Sequence, residues 1–95
     1  MKGESLLWAA KVIVARNLNE KVIAATIGWN EEASNLMLTY YVDGAASEDE
    51  QELCELALTE LLAEFSDVKL ANSKCLDAHG VFGELGGLKG LVYLR

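Results

Sequence analysis

Between Lys21 and Lys69 the chain contains no lysine or arginine, and that window holds eleven of its fifteen acidic residues. The formal charge is −7 and the pI about 4.5. Duplex nucleic acid and anionic membrane surfaces would repel such a chain, so neither is expected as a partner, and a basic partner is the natural complement. Apolar runs stay far short of the ~18–20 residues needed to span a bilayer. There is one histidine, His79, with no CxxC or HExxH spacing around it, which leaves a zinc site without ligands. The two cysteines, Cys54 and Cys75, are a thin disulfide framework for a secreted fold and read as reduced thiols in a cytoplasm. The opening MKGESLLWAAKVIVARN is interrupted by Glu4, Lys11 and Arg16 and shows no small-x-small cleavage site, so no export signal is expected.

What is present is a globular composition: 52% hydrophobic residues in 95, enough for one core and one domain spanning residues 1–95. Glu4 to Arg16 reads as a helix with Leu6, Leu7, Ala10, Ile13 and Val14 at helical spacing, although the VIV run is β-branched. Asn17 is a plausible helix stop. Val22 to Trp29 then alternates Ile23, Ala25, Ile27 and Trp29 against Val22, Ala24, Thr26 and Gly28. After the polar loop Asn30 to Asn35, Leu36, Leu38, Tyr40 and Val42 form the apolar face of a second strand, and the two make a hairpin.

Asp43-Gly44 ends that strand. Ser47 followed by Glu50 is a capping box that starts a second helix. Its apolar stripe is Cys54, Ala57, Leu58, Leu61, Leu62 and Phe65; Asp49, Leu53, Leu56, Glu60 and Glu64 fall on the far side. Val68 to Leu76 and Leu91 to Leu94 read as strands, with the glycine-rich loop Asp77 to Gly90 between them. The expected fold is α+β, order α-β-β-α-β-β, with helices on one face of a mainly antiparallel sheet.

Enzymatic readings lack convergent groups, so neither catalytic residues nor a cofactor or metal is expected. Cys54 lies in the apolar stripe of an acidic helix, where burial and carboxylates both raise a thiol pKa. GELGGLKG, Gly83 to Gly90, lacks the GK[ST] ending of a phosphate loop. The carboxylates of the second helix are held at helical spacing with no calcium-loop pattern around them.

Those carboxylates nevertheless need explaining. With Asp43 at the strand end, eight carboxylates fall between Tyr40 and Phe65. The three at the helix start, Glu48, Asp49 and Glu50, suit the positive end of the helix dipole. The rest do not interleave with Lys or Arg at i+4; Glu48/Glu52 and Glu60/Glu64 are acid with acid. Leu53 and Leu56 among them resemble an apolar anchor with a charged rim. The expected partner-binding set is Asp43, Asp49, Leu53, Leu56, Glu60 and Glu64, assisted by the Asn30 to Asn35 loop. Reversing Glu60 and Glu64 to Lys is expected to leave the fold intact.

YYVDG at the strand end, the S-E-D-E helix start, TELLAEF and the closing LVYLR together resemble immunity proteins of contact-dependent growth inhibition and related polymorphic toxin systems. RNLNEKVIAATI is similar to that family's first helix end and strand. The chain departs from the pattern by having no proline and by its glycine-rich loop. The resemblance implies a non-catalytic cytoplasmic inhibitor that binds a cognate toxin domain in a 1:1 complex. An acidic inhibitor suits a nuclease toxin, whose surface must be cationic to hold phosphates. The competing expectation is a small homodimeric structural module that uses the second helix and a strand edge.

Overall fold

The computed structural model describes residues 3–78, 87 and 89–95. Two helices and four strands follow in the expected order: α1 (Gly3–Ala15), β1 (Val22–Asn30), β2 (Asn35–Val42), α2 (Glu48–Glu64), β3 (Leu70–Asp77) and β4 (Leu91–Leu94). The sheet order is β3-β2-β1-β4. β1 pairs antiparallel with both β2 and β4, whereas β3 lies parallel to β2, because the α2 crossover returns the chain to the end where β2 began. The protein is an α+β fold with both helices packed on the sheet.

One core lies between the layers. α1 contributes Leu6, Ala10, Ile13 and Val14; α2 contributes Cys54, Ala57, Leu58 and Leu61; β2 contributes Leu36, Leu38, Tyr40 and Val42. The period-2 reading of β2 and the helical stripes are realised except at Leu7, which is exposed rather than in the α1 stripe, and the β-branched VIV run sits in the helix because two of its three residues are buried there.

The β1 alternation is not realised throughout. Val22 pairs with Val42 but Ala24 pairs with Tyr41, so Ile23 is an extra residue in a β-bulge. Val22 consequently takes the core position expected for Ile23, while Ile23 and Ala24 turn to the opposite face. There they form a small second cluster with Ala78, against which Tyr41 and Leu91 pack. The third strand starts two residues later than Val68, because the Lys69 and Leu70 N–H groups both donate to the Ser34 carbonyl and that anchor sets where the β2–β3 ladder begins.

Gly90 is required where it stands. Its φ is +71°, and a Cβ there would lie 2.1 Å from the Ile27 carbonyl oxygen. The Ile27 N–H in turn donates to the Gly90 carbonyl at 2.9 Å, leading β4 onto β1. His79 and most of the Gly83–Gly90 stretch lie outside the described residues.

Candidate functional site

The seam between α1 and α2 gathers most of the singled-out side chains. The helices run in opposite directions: Trp8 lies by Glu64, Arg16 by Glu60, and Asn19, just past α1, by Glu50. Asn17 joins the layers at the end of α1. Its side-chain amide donates to the Ile13 carbonyl at 2.8 Å and to Glu60 Oε2 at 2.5 Å, and its own carbonyl accepts from the buried Tyr40 hydroxyl at 2.7 Å. The helix stop legible in the sequence is thus also a three-way junction between α1, α2 and β2.

At the start of α2 the capping box is present, and its carboxylate is buried. Glu50 Oε1 accepts from the Ser47 N–H at 3.0 Å, the Ser47 hydroxyl lies 2.9 Å from both oxygens, and Asn19 Nδ2 donates to Oε2 at 2.8 Å. Lys21 Nζ is 3.3 Å away. These donors, led by the Ser47 N–H, outweigh burial and hold the carboxyl well below its ordinary value, from 4.5 to about 2. Glu50 is therefore a structural acid, tied to the α1–β1 connection.

Of the expected partner-binding residues, Asp49, Leu53 and Leu56 come together. With Leu18, Asn19 and Glu52 they line a shallow groove of about 350 Å³. Leu56 is 55% exposed, but Leu53 is only partly so and packs against the core. Glu60, which has no basic residue at i+4 on its own helix, meets one from α1 instead: Arg16 Nη2 reaches its carboxylate at 3.3 Å. Reversing Glu60 to Lys would break that pair and the Asn17 bond, a cost that the expectation of an intact fold did not include. Glu64 lines a second groove of about 440 Å³ with Glu4, Ser5, Trp8, Ala9 and Phe65. Asp43 lies just past β2, where its N–H donates to the Lys21 carbonyl, and it lines neither groove; nor does the Glu31–Ser34 turn.

Trp8, exposed at this seam, is a residue that sequence reasoning did not single out. It stands two positions after Leu6, about 200° around the helix from a core residue, and so points outward. A large aromatic on that side was the available signal.

The acids of α2 do not all serve the helix. Glu48 and Asp49 in the first turn suit its dipole, but Glu64 occupies the last turn, which has no basic residue, and opposes it. The exposed face also carries Glu52 and Glu55.

The thiols face each other across the α2–β3 contact, where Cys54 and Cys75 line a recess of about 240 Å³ with Gln51, Glu55, Ser73 and Lys74. Both are free. Burial, reinforced by Cys75, pushes the Cys54 thiol up to about 12, and burial likewise raises Cys75. Burial thus favours the neutral, less nucleophilic thiol at both positions. Among the described residues no cluster of three His, Cys, Asp or Glu side chains could hold a metal ion, and no helix is long and apolar enough to cross a membrane.

Fold and surface together define a small α+β module whose exposed chemistry is an acidic and apolar helical seam. The chain belongs to the MafI2 immunity protein family, which it matches over residues 4–95. No curated protein matches it.

Proposed function

We propose that this chain is a cytoplasmic immunity protein that neutralises a basic toxin domain, a nuclease delivered by a neighbouring cell, by binding it one to one through the outer face of α2. No chemistry is involved on the immunity side. The observation that carries this reading is the segregation of charge on α2, whose exposed acids have no basic residue on their own helix and surround the exposed Leu56. A surface of this kind complements the cations with which a nuclease holds phosphates, and opposite potentials speed encounter. Asp49, Leu53 and Leu56 form one contact region, with Glu60 and Glu64 extending it along the seam; Asp43 is an outlying contact. In a symmetric dimer built on the same face the acids would oppose one another, which disfavours the homodimeric module.

The test is the kinetics of binding to the cognate toxin domain, at low and high salt. Asp49→Lys with Glu52→Lys should slow association about tenfold or more and flatten its salt dependence, with the melting temperature lowered only slightly by the loss of Asp49 from the first turn of α2. Leu56→Ala should act on dissociation. Association rates that ignore the charge reversals would remove the α2 face from the interface.

A further inference from the structure

Trp8 is 71% exposed, the largest exposure among the big apolar side chains described, and Val12 (42%) and Leu7 (36%) flank it on α1. An indole left largely in water beside two further exposed apolar side chains makes an apolar patch of the kind that marks an interaction surface. The groove beside it has Glu4 and Glu64 in its walls, and a narrower recess of about 120 Å³ continues past Val12 to Arg16. Arg16 is already engaged by Glu60, so the cation at that end of the groove is countered from within the chain. What remains among the described lining residues is an aromatic face with two carboxylates, the combination that attracts a guanidinium or ammonium group through ring quadrupole and charge together.

We propose that the Trp8 groove is a second anchor point for the toxin, receiving an arginine or lysine side chain of the toxin surface against the indole between Glu4 and Glu64. This inference rests on the immunity reading above and extends the contact from α2 onto α1. Charge selects the occupant: a second copy of this chain would bring its own Glu4 and Glu64 to the same place and add to a net charge of −7 on each partner.

The experiment uses the full chain and the cognate toxin domain. Trp8→Ala should weaken binding about 30-fold or more, mostly through faster dissociation, while Trp8→Phe keeps most of the affinity and Glu64→Gln slows association. With fluorotryptophan at both tryptophans, fluorine NMR should show the Trp8 resonance shifting on saturation with the toxin domain while that of Trp29, on β1, stays in place. This readout needs no mutation and stands even where a variant is destabilised. Wild-type affinity in Trp8→Ala, or an unmoved Trp8 resonance, overturns the groove while leaving the immunity reading intact provided the Asp49/Glu52 reversals still impair binding. A wild-type chain that fails to bind the toxin domain overturns both. A concentration-dependent dimer that Trp8→Ala abolishes, with toxin binding unchanged, assigns the groove to a second copy and also overturns the proposal.

Discussion

Glu50→Gln combined with a pH series isolates the buried carboxylate that joins α2 to the α1–β1 connection. The side chain is 1% exposed, and every group around it (the Ser47 N–H and hydroxyl, the Asn19 amide and the Lys21 ammonium) is a donor. Gln keeps the shape but points an NH₂ group at donors. The depression of the carboxyl from 4.5 to about 2 corresponds to an upper bound of about 3 kcal/mol of stability at neutral pH. Lys21, 41% exposed, leaves one side of the network in water, and screening there lowers the expected value to about 2 kcal/mol. Because the folded-state value lies below the unfolded one, this stability is fully present above about pH 5 and is lost as the pH falls toward 2. Linkage leaves about 40% of it at pH 3. Urea unfolding of wild type and Glu50→Gln at pH 7, 5 and 3 measures the difference directly. Acid also relieves repulsion among the other carboxylates, but that effect is common to both proteins and cancels. The expected gap is about 2 kcal/mol at pH 7 and under 1 kcal/mol at pH 3. A gap that is small at pH 7, or constant with pH, would show that Glu50 is not held as an anion by its donors.

Gly90→Ala should destabilise by at least about 2 kcal/mol, seen as a lowered urea midpoint, because the new methyl would meet the Ile27 carbonyl and φ is positive. Tyr40→Phe should cost about 1–2 kcal/mol in the same assay, since it leaves the Asn17 carbonyl without the Tyr40 hydroxyl. Trp29→Phe should change stability by less than about 1 kcal/mol despite the lost apolar area, as it removes an indole N–H that is buried without a hydrogen-bond partner. A loss above about 3 kcal/mol there would show that the indole N–H is satisfied in solution.

The order of elements, the core stripes of both helices and the capping box were legible in the sequence because each depends on neighbours three or four residues away, or alternates by two. Asn17 as a stop and Leu91 to Leu94 as the last strand belong to the same local logic. The bulge at Ile23 was not legible, because an unbroken run of apolar residues from Val22 to Ala25 fits either face and only pairing with Val42 and Tyr41 decides which residue is extra. Nor was the parallel placement of β3, which depends on where the α2 crossover lands and on the Ser34 carbonyl that receives Lys69 and Leu70. At the candidate site the charge segregation of α2 could be read directly, since it is a property of the chain. The fate of each acid could not: Glu50 and Glu60 lie on one helix with Glu64, yet the first is buried among donors, the second is tied to Arg16 and Asn17, and the third borders the Trp8 groove. Those differences come from the antiparallel packing of α1 against α2, which brings Asn19, Arg16 and Trp8 opposite acids more than thirty positions away. Contacts over such separations leave no period in a sequence, and only the tertiary structure could assign them.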